Sequence, residues 1–170
     1  MTMRKEGRVK RWAMAPVLVL LVLSTAACED LLFDDPSQIY EGPPTVEFAP
    51  VLPSGNYTRT VEIDAGSTSN VMTTVRVNYI ANPPSSDVSG QIMREGSSTA
   101  VEGTHYRFAS GSNSYTIASG TNFVDIQIEV MGSGFADGES QILVLELADG
   151  ADFEVSENYK TFTLELEKEN

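Results

Sequence analysis

From Pro44 onward, apolar residues recur at every second position. In "VMTTVRVNYI" one face carries Val71, Thr73, Val75, Val77 and Tyr79. In "FVDIQIEVM" Val124, Ile126, Ile128 and Val130 alternate with Asp125, Gln127 and Glu129. In "TFTLELE" Phe162, Leu164 and Leu166 alternate with Thr161, Thr163 and Glu165. A period of two sends successive side chains to opposite faces, so each run has one apolar and one polar side. That is the pattern of a half-buried antiparallel strand. "QILVLEL" is apolar on both faces from Ile142 to Leu145, as a central strand would be. No helical period is sustained after Cys28.

Turn chemistry punctuates these runs. "ANPPSSD", "REGSS", "ASGTN" and "GSGFADGES" are rich in Gly, Ser, Asn and Pro. Seven to eight short strands with regular turn signals predict an all-β domain over residues 44–170, an antiparallel immunoglobulin-like β-sandwich. It has neither the disulfide nor the buried Trp of antibody domains, so packing alone must hold it.

The N-terminus reads differently. Arg4, Lys5, Arg8, Lys10 and Arg11 precede an apolar stretch from Ala13 to Leu23. That stretch is about a dozen residues, where a membrane-spanning helix needs about 20. A basic head, a short apolar middle and small residues at the end predict a signal peptide over residues 1–27. "STAAC" resembles the lipobox of bacterial lipoproteins. The resemblance implies lipid attachment at Cys28 and cleavage just before it. Ala26 and Ala27 fit, and Thr25 departs from the usual aliphatic residue. The competing reading is an ordinary cleaved signal or an uncleaved anchor. Chemistry favours the lipid. Cys28 is the only cysteine and cannot form an internal disulfide, and acylation removes an oxidisable thiol. Each buried CH₂ contributes about 0.8 kcal/mol, and stable anchoring takes more than one chain.

Removing residues 1–27 takes away five basic residues and one acid. It leaves 6 Lys/Arg against 23 Asp/Glu, a net charge of −17. Nucleic acid is excluded as a partner, since no basic patch exists to displace counterions. Residues 28–43 read as a lipid-anchored acidic linker. Glu29 and Asp30 resemble the surface-export signal of Bacteroidota lipoproteins, which implies an outer-membrane or cell-surface location. Leu31, Leu32 and Phe33 are apolar for a free tether and suit docking on the domain or on a partner.

Three segments, "AVEGTHYRF" (100–108), "YTIASGTNFVDIQIEV" (115–130) and "DGESQILVLEL" (137–147), together resemble the Calx-β domain and its bacterial relatives. The resemblance implies the sandwich and gives fold-making roles to its residues. Gly120 permits a tight turn, Gly138 takes a positive φ, and Tyr106 buries its ring while its hydroxyl bonds the backbone. With the leader, the whole resembles uncharacterised Bacteroidota surface lipoproteins, several of which accompany glycan-uptake systems.

In calcium-binding members of that family, loop carboxylates gather at one end of the sandwich. Here His105 replaces an expected Asp ligand, and "MGSGF" (131–135) stands where paired acids are expected. Asp137, Glu139, Asp149 and Asp152 remain as scattered acids, so no metal is expected. His105 is the only imidazole, and no nucleophile elbow or zinc motif accompanies it. Ser110, Ser112 and Ser114 read as turn residues. A sugar site would stack rings on exposed aromatics. Tyr57, Phe135 and Phe153 are the candidates, near predicted loops in a chain without Trp after Cys28. The expected function is a non-catalytic binding or accessory module on a lipid anchor, with a glycan or envelope protein as partner and no cofactor beyond the lipid. The second reading is a calcium-stabilised adhesion module, and the third a hydrolase.

Overall fold

Alternating Val, Ile, Thr and Phe favour the pleated, half-buried surface of a sheet. They build ten strands in the computed structural model, which describes residues 42–170. Cys28, the 1–27 leader and the linker through residue 41 lie outside the described residues. The strands are β1 (Thr45–Phe48), β2 (Thr58–Ile63), β3 (Val71–Ile80), β4 (Val88–Arg94), β5 (Tyr106–Phe108), β6 (Ser114–Ile117), β7 (Phe123–Val130), β8 (Ser140–Leu147), β9 (Glu154–Val155) and β10 (Thr161–Lys168). They form two five-stranded sheets, ordered β5-β7-β3-β1-β9 and β2-β10-β8-β4-β6.

The two inner faces share one core. Val75, Val77 and Tyr79 of β3, Ile128 and Val130 of β7, Leu143 and Leu145 of β8, and Phe162, Leu164 and Leu166 of β10 are all buried in it. The alternation therefore assigns faces as the sequence predicts. β8 is the middle strand of its sheet. Its second apolar face is nonetheless open, and Ile142 is among the exposed large hydrophobics.

Two features differ from expectation. There are ten strands because β1, β5, β6 and β9 span two to four residues, too short to display a period. Pairing is also not wholly antiparallel. The chain runs along β3 as β1, crosses to the other sheet over residues 49–57, and then lies parallel to β10 as β2 from Thr58↔Thr163 to Ile63↔Lys168. β1 pairs in parallel with β9. A strand that switches sheets this way closes one flank of the sandwich.

Gly138 has φ +77° in the turn that leads from β7 across to β8 in the other sheet, and Gly120 has φ +78° in the turn before β7, so both take the positive φ expected of them. Tyr106 corrects its expectation. Its ring is fully buried, but its hydroxyl bonds no backbone group, and the Tyr115 hydroxyl is likewise buried without a partner. Burying a tyrosine ring removes roughly 150–250 Å² from water, about 4–6 kcal/mol. An unpaired hydroxyl costs about 1–3 kcal/mol. Ring burial wins, so the position is tolerated.

Candidate functional site

The three aromatics expected to hold sugar do not meet. Phe135 is buried against His105, with ring centroids 5.0 Å apart. Phe153 is buried too. Its ring lies so close to Gly90 and Gly150 that a Cβ on either would come within 2.9 Å and 2.4 Å of it. Both are corrected from ligand contacts to packing, because loop residues that close the ends of a sandwich turn their rings inward. Tyr57 is half-buried and stacked on Tyr159, with centroids 5.2 Å apart and planes at 21°. Tyr57 lies beside Thr163 near the start of β10, whereas the Phe135 carbonyl meets Lys168 at its end. That separation is roughly 17 Å along the strand. Cys28 lies outside the described residues.

Among the described residues the most exposed aromatic rings are Phe123, 47% exposed, and Tyr159, 40% exposed. Phe123 stands on the outer face of the β3–β7 pair, where the register sets Asn78 opposite Phe123, Arg76 opposite Asp125, Thr74 opposite Gln127 and Met72 opposite Glu129. Arg76 donates from Nε and Nη2 to the two Asp125 oxygens, at 2.7 and 2.9 Å. Its guanidinium carbon lies 4.1 Å from the Phe123 ring centre. Further along, Glu129 accepts from Arg107 at 2.5 Å and from Asn70 at 2.6 Å. These donors hold the Asp125 and Glu129 carboxyls below the usual carboxylate range, Asp125 through Arg76 and Glu129 chiefly through Arg107. Exposed ion pairs contribute little to stability. What this row provides is a set of planar polar groups in fixed orientation, with donor and acceptor positions left over, and one half-exposed aromatic ring with Arg76 over one of its faces.

A notch of 340 Å³ adjoins the row. Ala49, Pro50 and Leu52 form its lip, Phe162 contributes to its floor, and Arg59, Thr74, Arg76 and Asp125 supply polar groups. Arg59 shares the inward side of β2 with Val61 and Ile63, so its side chain reaches across to the other sheet. There it donates to the Thr74 carbonyl, and its Nη1 lies 3.4 Å from Thr73 Oγ1. That carbonyl lies beyond the short β1, which covers β3 only from Val77 to Ile80. The lip residue Leu52 is 83% exposed. Three other clefts, of 360, 370 and 230 Å³, carry no arginine.

No protein-family model matches the sequence, and no curated protein matches it. Solved structures do resemble the fold. A candidate carbohydrate-binding protein from Bacteroides ovatus superposes with a TM-score of 0.53 at 13% identity, over 75% of this chain and 38% of its own. The apo-form Calx CBD1 domain gives 0.50 at 16% identity, over 76% of this chain and all of that domain. Bacteroides thetaiotamicron EndoBT-3987, solved with a Man5GlcNAc product, gives 0.52 at 14% identity, over 68% of this chain and 29% of its own. The fold is Calx-β-like. The chain spans about two-fifths or less of the two Bacteroides proteins, and identities this low carry the fold alone.

In this Calx-β-like sandwich Asp137 and Glu139, in the turn that leads into β8, accept hydrogen bonds from protein donors. Lys168 is only 7% exposed. Its ammonium donates to the Phe135 carbonyl at 3.0 Å and lies 3.2 Å from Asp137. Asp137 also accepts from the Gly66 N–H at 2.9 Å. Glu139 accepts from the Ala136 N–H at 2.9 Å and from Gln141 at 2.6 Å, and its Oε1 lies 3.9 Å from His105 Nε2. His105 Nδ1 accepts from the Val101 N–H at 2.9 Å, so the Nε2 nitrogen carries the proton. Asp149 accepts from the Val155 N–H at 3.3 Å. Among the described residues no three His, Cys, Asp or Glu side chains gather as metal ligands. The nearby serines bond within their own turn, where Ser110 donates to the Ser112 carbonyl and Ser112 Oγ accepts from the Ser114 N–H.

The Phe123 face had a signal in the sequence. The alternation that turns Val124 inward turns Phe123 outward, beside Asp125. The notch had a fainter one, because an arginine at an apolar-face position of "TRTVEI" must find a polar partner across the core edge.

Proposed function

We propose that the chain is a lipoprotein held to the outer membrane or cell surface by a lipid on Cys28, displaying a non-catalytic glycan-binding module. The carrying observation is the outer face of β3 and β7, where the half-exposed Phe123 ring stacks under the guanidinium of the bidentate Arg76–Asp125 pair. A sugar ring offers C–H groups to an aromatic face and hydroxyls to planar donors and acceptors; here Arg76 covers one face of the Phe123 ring and the half-exposed remainder of the ring is what a sugar would meet. Two fold neighbours support the reading, one a candidate carbohydrate-binding protein and one bound to a glycan product.

In this reading no side chain is a nucleophile or general base, and the lipid is the only attached group. His105 serves the turn, with one nitrogen engaged by Val101 and its ring on Phe135. The decisive experiment has two arms. Mass spectrometry of the protein from membranes should find diacylglycerol on Cys28. A glycan array probed with the full chain should give hits that Phe123→Ala and Asp125→Ala remove without lowering the melting temperature. An unmodified thiol ends the anchor reading. An empty array ends the glycan reading in favour of an envelope-protein partner.

A further inference from the structure

We propose that the notch under the 49–53 segment takes the carboxylate of an acidic sugar, so that the glycan recognised carries uronate-type units. This rests on the glycan reading above and names its ligand class. Six Lys/Arg follow Cys28, and two of them, Arg59 and Arg76, line this one cavity. The other four are committed elsewhere. Arg94 donates to the Ala100 and Ser98 carbonyls, Arg107 pairs with Glu129, Lys160 with Glu146 and Glu157, and Lys168 with Asp137.

Arg76 shares its charge with Asp125, but the recorded partners of Arg59 are a carbonyl and a hydroxyl. Among the described residues no carboxylate lies within ion-pair distance of Arg59. The lining carries two guanidinium groups against one carboxylate, a net positive cavity in a chain whose residues after Cys28 sum to −17. A guanidinium with N–H groups left over matches a planar carboxylate better than any neutral group. The surroundings point to a sugar as the bearer of that carboxylate. Pro50 and Leu52 give an apolar lip for sugar C–H groups, Thr74 and Asp125 lie within hydroxyl reach, and the Phe123 row continues outward from the same wall.

The test is calorimetry on the full chain with three probes: trigalacturonate, neutral trigalactose and triglutamate. Trigalacturonate should bind at least tenfold more tightly than either of the others, a difference of about 1.4 kcal/mol. Its affinity should fall as salt rises. Arg59→Gln keeps an amide donor for the Thr74 carbonyl but removes the charge, and should erase most of that tenfold preference. Leu52→Glu, on the exposed lip, leaves Arg59 in place as a second variant. It should weaken trigalacturonate several-fold more than trigalactose, with the melting temperature unchanged. The inference is overturned if trigalactose or triglutamate binds as tightly as trigalacturonate, if trigalacturonate does not bind, or if neither variant changes the preference. Binding of trigalactose without preference would sink the inference and keep the glycan reading. An empty result here together with an empty glycan array would sink both.

Discussion

The Lys168 ammonium donates to the carbonyl of Phe135 across 3.0 Å, and both residues are buried. The bond ties the end of β10 to the segment that precedes β8, which carries Asp137 and Glu139. A buried ammonium is costly unless acceptors face it, and here the Phe135 carbonyl and Asp137 do so. Lys168→Met would leave the Phe135 carbonyl without its partner, while Asp137 keeps the Gly66 N–H and contact with water. The expected loss is about 1–3 kcal/mol of unfolding free energy, measured by urea denaturation at neutral pH. A loss under about 0.5 kcal/mol, the usual size of a surface substitution, would mean that this bond does not hold the loop.

The same loops predict a pH dependence. Glu139 is held below its ordinary value of 4.5, chiefly by the Ala136 N–H and then by Gln141. Asp137 is held below 3.8, chiefly by the Gly66 N–H and then by Lys168. A depressed folded-state pKa means that the unfolded chain takes up protons first as pH falls. The stability these groups contribute is therefore complete above the ordinary carboxylate values and declines as pH drops below them towards the folded-state values. The urea midpoint should fall through that window. Glu139→Gln should lower stability at neutral pH and flatten the acid limb. An unchanged limb would move the effect to other carboxylates.

How far the sequence reaches can be traced through particular residues. Val124 to Val130 and Phe162 to Leu166 face the core as their alternation dictates, because a period of two leaves no other choice once one face is buried. β9, two residues long, and β5, three long, carry no period to read. The crossing from β1 to β2 depends on how residues 49–57 pack, which composition does not encode. Phe135 and Phe153, both buried, show where the sequence stops short of side-chain direction. Gly and Ser around them correctly mark loops, but a loop backbone says nothing about where its side chain points. Arg59 is the opposite case, a charged residue on an apolar face whose use emerges only when the second sheet is beside it.

Gly90 faces Tyr115 across the β4–β6 pair, with no room for a side chain. A Cβ at Gly90 would meet the Tyr115 hydroxyl oxygen at 2.4 Å and its ring carbon at 2.5 Å. Gly90→Ala should therefore destabilise by about 1–3 kcal/mol through overpacking. Tyr115→Phe should behave differently. Burial alone pushes this phenol well above its ordinary pKa, and no protein group bonds its hydroxyl. Deleting the oxygen should leave stability unchanged or raise it by up to about 1 kcal/mol. It should not rescue Gly90→Ala, since the ring carbon remains in the way. Thermal denaturation of the two single variants and the double variant separates these outcomes, and a clear loss for Tyr115→Phe would show that the hydroxyl is bonded.

The engagement of the acids before β8 predicts that this chain takes no calcium there. A calcium ion takes six to eight oxygen ligands and needs carboxylates free to turn towards it. Here Asp137 is engaged by Gly66 and by an ammonium, and Glu139 by Ala136 and Gln141. Bringing a divalent cation to this end would place it within a few ångströms of Lys168, and like charges in a partly buried site repel strongly. The melting temperature of the full chain should therefore be the same in calcium and in chelator. A ligand present at 100 times its dissociation constant would add about 2.7 kcal/mol, an effect too large to miss in a domain of this size. A calcium-dependent rise in melting temperature would show that Lys168 swings away to admit the ion, and would restore the adhesion-module reading over the one proposed.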